Sequence, residues 1–95
     1  MSFTIEHKQR DDIGMFYIGD YHDRLGEMTY RLADNELMII DHTLVDDELR
    51  GQGAGRQLVA AGVEFARAND YKIRPLCVFA KSVFDKTPEY IDVLE

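Results

Sequence analysis

Apolar and polar positions change period along this chain, and the changes divide it into elements. Residues 2–9 place Phe3 and Ile5 on one face at strand spacing. Asp11-Asp12 and Gly14 mark a turn, and Met15-Phe16-Tyr17-Ile18 reads as a second strand, ended by Gly19-Asp20. Leu25, Glu27, Thr29 and Arg31 alternate with Gly26, Met28, Tyr30 and Leu32, which predicts a third strand with one apolar face. Ala33-Asp34-Asn35 is a tight turn, so strands three and four form a hairpin. The fourth strand covers 36–43, and its unbroken run Leu37-Met38-Ile39-Ile40 predicts burial on both faces.

After Gly55 the period lengthens. Leu58, Gly62, Phe65 and Ala66 share one helical face, with Val59 and Val63 beside it, and Asn69-Asp70 ends the helix. Residues 72–79 read as a fifth strand. A strand, a helix and a strand in this order require a right-handed crossover, so strands four and five are expected to be parallel. Pro75 has no ladder donor and belongs where one backbone bond is missing. A short helix, Lys81 to Lys86, and a tail with Pro88, Tyr90 and Ile91 complete the chain. The fold class is α+β: a mixed, mainly antiparallel sheet of about five strands, one main helix and a short C-terminal helix.

Length changes the picture little. The 95 residues predict a single domain, 1–95. No apolar run reaches the roughly 18 residues of a membrane span. The N-terminus lacks the basic start and apolar stretch of a signal peptide, so a cytoplasmic setting is expected. One cysteine excludes an internal disulfide framework and a cysteine-based zinc site. A net charge of -7 argues against nucleic acid as a partner and suits a cationic acceptor such as an amine. It is awkward for a polyanionic ligand unless Arg50, Arg56, Lys81 and Lys86 gather locally. Exposed edge strands are compatible with a monomer or a weak homodimer.

The densest chemical signal is Arg50-Gly51-Gln52-Gly53-Ala54-Gly55-Arg56, between the apolar strand and the amphipathic helix. Glycines permit positive φ and close backbone approach, and the first N–H groups of a helix have no internal partners, so this junction is an anion cradle. A P-loop requires Lys-Ser or Lys-Thr after its last glycine, but Arg56-Gln57 follows Gly55. A dinucleotide fingerprint requires a glycine where Arg56 or Leu58 stands. A turn that merely permits a sharp strand-to-helix junction remains open.

The spacing Arg-x-x-Gly-x-Gly/Ala resembles the pyrophosphate loop of the GCN5-related N-acetyltransferases. Ile40-Asp41-His42-Thr43-x-Val45, Gly51-x-Gly53-x-Gly55, Cys77-Val78-Phe79-Ala80-Lys81 and Tyr90-Ile91-Asp92-Val93 occur in this order. Together they resemble the small stand-alone branch of the YjdJ or NATD1 type, from about residue 13 to residue 93. That resemblance implies a shortened acetyltransferase fold using acetyl-coenzyme A or coenzyme A. It implies that Arg50, Gly51, Gln52, Gly53, Ala54, Gly55 and Arg56 hold the pyrophosphate. It also implies that Thr43, Leu44 and Val45 run along the pantetheine arm, and that Lys81 opens the short helix near phosphate. Cys77 and Phe79 are expected on one face of strand five. The two helices that larger members carry between strands one and two are missing, which leaves the acceptor, a small molecule or a protein lysine, undefined.

Two routes of acetyl transfer follow. In one, an amine attacks the thioester while His42 or a water takes its proton. In the other, Cys77 carries the acetyl group, with His42 as the neighbour that favours its thiolate. Against these stand plainer roles: Cys77 as a small core hydrophobe, His42 as a hydrogen-bonded strand-end residue, Tyr30 and Tyr90 as packing residues, and His7 and His22 as solvated turn residues. The whole chain also reads as a non-catalytic coenzyme A binding module, or as an interaction domain.

Overall fold

A computed structural model of the protein describes residues 2–34 and 36–95; Asn35 of the expected turn lies outside them. Five strands, β1 (Glu6–Arg10), β2 (Ile13–Asp20), β3 (Asp23–Ala33), β4 (Leu37–Val45) and β5 (Lys72–Pro75), lie side by side in chain order. Neighbours are antiparallel up to β4, and β4 and β5 are parallel. Helix α1 (Ala54–Asn69) makes the crossover, and α2 (Val78–Lys86) follows β5. This is the expected α+β architecture.

Both helices pack on one face of the sheet. That face carries Phe16 and Ile18 of β2, Met28 and Tyr30 of β3, Met38 and Ile40 of β4, and Ile73 of β5. Leu58, Val59, Val63 and Ala66 of α1 meet them, all with no exposure, as the period-3.6 pattern requires. Among the described residues no polar or charged side chain is buried in this core. The run Met38 to Ile40 is buried on both faces. Ile39, on the face away from the helices, lies between Arg31 and Arg74 on the adjacent strands.

Tyr30 is the polar exception within the core. Its ring is fully covered, and its hydroxyl lies 2.6 Å from His7 Nε2. His7 therefore sits inside β1, not in a turn, stacked on Phe16 at 4.2 Å. Burial holds its pKa below the ordinary histidine value and pushes the Tyr30 phenol up to about 12, with Tyr71 adding to the rise. His22 does lie in the β2–β3 turn, where its N–H bonds Asp20.

Several boundaries depart from expectation, and Gly14, read as part of the first turn, lies inside β2. The first strand starts at Glu6, so Phe3 and Ile5 precede it and pack on the core from outside the sheet. The fourth strand runs on to Val45. The fifth is half its expected length: it stops at Pro75, opposite Ile40. Cys77 is thus not in a strand but caps the N-terminus of α2, and Phe79 lies in that helix's first turn. Leu76 and Cys77 both donate their N–H to Ile40 O, the last link between the two strands. At the far edge, Ile73 bridges Leu94 in parallel, and Arg74 grips Glu95 with two bonds.

β4 also carries one extra residue. Opposite β3, Met28 pairs with Thr43 and Thr29 with His42, but Tyr30 pairs with Ile40, so Asp41 has no counterpart. Such a bulge reverses which side chains face the core. Before it, Met38 and Ile40 face the helices. After it, Thr43 and Val45 do, and His42 and Leu44 turn to the opposite face.

Gly14 is the tightest fit in the sheet. A Cβ there would stand 2.2 Å from the Tyr30 ring and hydroxyl. Because Tyr30 is enclosed and held by His7, the ring has no free direction to move. Gly14→Ala is expected to cost about 1–3 kcal/mol, lowering the unfolding midpoint by about 4–8 °C per kcal/mol. Thermal unfolding checks this, and an unchanged midpoint would contradict the packing.

Candidate active site

The end of β4, the loop after it and the start of α1 enclose a cleft of about 370 Å³. Thr43, Leu44 and Val45 form one wall, and Leu49, Arg50, Gly51 and Gly53 form the rim. Ala54, Gly55 and Arg56 of α1, with Phe79 of α2, close it. A larger concavity of about 750 Å³ lies along Lys8 to Met15. It runs along β1 and its turn into β2, away from the glycine loop.

The loop geometry has clear causes. Gly51 and Gly53 both hold φ +78, and nothing stands within 4 Å of where their Cβ would be. Only glycine adopts this conformation freely, and the missing side chains leave backbone facing open space. Gly53 caps α1 without a side-chain bond to it, and the first turn contains no acid. The leading N–H groups of α1 therefore have no internal partner and carry the positive end of a 16-residue helix dipole. Gly55 serves packing: a Cβ there would stand 2.6 Å from the Phe79 ring.

The acidic run before the loop turns aside. Asp46 accepts from Glu48 N and caps a 3-10 turn, Asp47–Leu49, and Asp47 pairs with Arg50 at 2.9 Å. None of the three acids lines the cleft. Gln52 does not line it either; its amide donates to Glu48 O and braces the loop.

Cys77 faces Thr43 across the gap where β4 and β5 part. Its thiol donates to Thr43 Oγ1 at 3.5 Å. Burial pushes the thiol pKa up, but the N–H groups of Ala80 and Phe79 at the start of α2, with Thr43, outweigh it and bring it below the ordinary value. His42 is not the neighbour that does this. The bulge turns it to the other face, where Nε2 meets Glu27 at 3.0 Å and Nδ1 meets Thr29 at 3.2 Å. Burial raises the Glu27 pKa, yet the bonds from His42 and Arg24 hold the carboxyl below its usual range. Glu27 is a partner that sequence reading missed, because two residues 15 apart meet only through strand register.

Lys81 does not open α2, which starts at Val78. It stands on the solvent side and pairs with Asp85 at 3.1 Å. Lys86 instead joins Arg56, Phe79 and Tyr90 around a small adjoining cleft.

Comparison with known proteins bears on this geometry. The family described as GCN5-related N-acetyl-transferase matches residues 15–93. The chain belongs to this family. It is 48% identical to a GCN5-like protein of Staphylococcus aureus, classed with the N-acetyltransferases, whose solution structure superposes with a TM-score of 0.76 over 95% of this chain and 87% of that one. Protein NATD1 of Homo sapiens is 25% identical over 96% of this chain and 81% of its own length. The fold also recurs, at 13% identity and a TM-score of 0.64, in a ribosomal-protein-alanine N-acetyltransferase of Brucella melitensis, matching 79% of this chain and 60% of that one. The family makes acyl transfer the general activity. No helix among the described residues is long and apolar enough to cross a membrane.

The thiol environment gives a direct expectation. Alkylation of Cys77 followed against pH should show a midpoint below that of an ordinary, unperturbed cysteine. Thr43→Val removes a group that favours thiolate, so its midpoint should move up, with less thiolate at neutral pH. Identical profiles would remove Thr43 from the account.

Proposed function

We propose that residues 1–95 act as one acetyl-coenzyme A-dependent N-acetyltransferase that moves an acetyl group to an amine acceptor, a small molecule or a protein lysine. The observation that carries this reading is the continuity between the free edge of β4 at Thr43 to Val45 and the open glycine cradle at Gly51 to Arg56. A backbone edge without a strand neighbour accepts an extended, amide-bearing arm as an added strand would be accepted. The cradle next to it offers unpartnered N–H groups, a helix dipole and no lining carboxylate, which fits a pyrophosphate.

Acetyl-coenzyme A supplies an acyl carbon that an amine can attack. The remaining tasks fall to this chain. Thr43 to Val45 and the glycine loop hold the long substrate and fix its direction. His42, oriented by Glu27 on the opposite face of β4, or a water beside it, takes the proton that the amine loses. Its exposed position supports an acceptor approaching from the helix-free side of the sheet.

A second route rests on the Cys77 thiol, whose pKa is lowered at the start of α2. Here Sγ forms the new bond to the acetyl carbon, and the bond to the coenzyme A sulfur breaks. The thiol proton passes to the departing sulfur, and the amine then takes the acetyl group from Cys77.

Native mass spectrometry with acetyl-coenzyme A, followed by a denatured spectrum, tests the reading. A bound cofactor is expected. An acetyl group mapped to Cys77 selects the covalent route. An unmodified protein that releases coenzyme A only when amines are added selects direct transfer, and failure of every amine to release it leaves a binding module. Gly53→Glu would place a carboxylate in the cradle and should weaken coenzyme A at least about tenfold, or about 1.4 kcal/mol. Its unfolding curve verifies that the variant is folded. Undiminished affinity in the folded variant would sink the cradle.

A further inference from the structure

The chain carries 11 lysines and arginines among 18 acids, and nearly all the cations are engaged. Arg24, Arg31, Arg50, Arg67, Arg74 and Lys81 pair with carboxylates. Lys72 donates to Asp92 O, and Lys8 lies over the Tyr21 ring. Among the described residues, Arg10, Arg56 and Lys86 have no partner. Two of those three line one cleft of about 190 Å³ between α1 and the last turn of α2.

That cleft has a consistent character. Beside Arg56 and Lys86 it contains Thr87 and Tyr90, whose hydroxyls have no hydrogen-bond partner among the described residues. No carboxylate lines it. In a protein of net charge -7, two unpaired cations and two free hydroxyls in one recess are an arrangement for a compact anion. The volume is below the roughly 300–1,000 Å³ of sites that enclose a whole ligand, so the recess takes one group of a larger molecule. It shares Arg56 and Phe79 with the glycine-loop cleft, so that molecule is the one held there.

We infer that this recess receives the ribose 3′-phosphate of coenzyme A, making the protein selective for coenzyme A over its 3′-dephospho form. The inference rests on the coenzyme A reading of the glycine loop. The 3′-phosphate is the compact anion of that molecule nearest its pyrophosphate. Arg56 stands between the two groups, and Lys86 belongs to the 3′-phosphate alone.

Isothermal titration of the full chain with coenzyme A and with dephospho-coenzyme A tests this. The expected result is at least a tenfold preference for coenzyme A. Lys86→Gln should reduce the preference to within about twofold by weakening coenzyme A, leaving dephospho-coenzyme A affinity unchanged. Lys86 is exposed at a helix end, so the variant should keep its fold, and its unfolding midpoint checks that. Equal binding of both compounds by the parent protein would overturn the selectivity and leave the glycine cradle standing. A preference that survives Lys86→Gln would overturn the assignment to this recess. Binding of neither compound would overturn the cradle as well.

Discussion

The arrangement of this protein depends on how β4 leaves its neighbours. Up to Ile40 the strand is held on both sides. At Asp41 it takes one residue too many for β3, and at Pro75 the parallel strand beside it stops. The two events fall at the same level of the sheet. One reverses the facing of β4, and the other removes its partner. Together they bring Thr43 opposite Cys77, send His42 to the other surface, and leave a length of backbone without a strand alongside. A regular ladder would have filled that space with strand five and buried the hydrogen-bonding edge. The opening is therefore a property of the sheet, set by a proline and an inserted residue.

The scaffold that supports this opening is thin. Two layers, one of strands and one of helices, must bury enough surface in 95 residues to be stable. The solution is close approach. Gly14 leaves room for the Tyr30 ring against β2, Gly62 admits the Met28 side chain under α1, and Gly55 lets α2 lean on the start of α1 through Phe79. Three glycines thus serve packing, whereas Gly51 and Gly53 serve backbone conformation. The aromatic group of His7, Phe16, Tyr30 and Phe65 ties the edge strand to the helix, with the imidazole satisfying the enclosed Tyr30 hydroxyl.

Much of this was legible in the residues. Period 2 and period 3.6 alternate cleanly enough to give the succession of strands, the hairpin of the third and fourth, the parallel crossover, the buried face of α1 and the glycine junction. What escaped did so for local reasons. Leu76-Cys77-Val78-Phe79 has the composition of a strand, and only the backbone shows that Pro75 ends the ladder and Cys77 caps a helix. Starting α2 three residues earlier also changes its facing. Phe79, Ser82, Val83 and Lys86, spaced i, i+3, i+4 and i+7, turn inward to the small cleft, and Lys81 turns out. A bulge leaves no mark in composition, so the separation of His42 from Cys77 could not be read from either residue. The Glu27 contact is invisible for the same reason: it is a product of register.

The placement of charge separates two kinds of cohesion. The core encloses no charged side chain among the described residues, and the ion pairs lie at the surface, where water and counterions already weaken them. Added salt removes little from such a fold. It even relieves the mutual repulsion of an acidic chain. The attraction between bare cations and a phosphorylated ligand has no such shelter and falls as the screening length shortens. Ionic strength would thus act on the proposed phosphate contacts while leaving the shape of the fold in place.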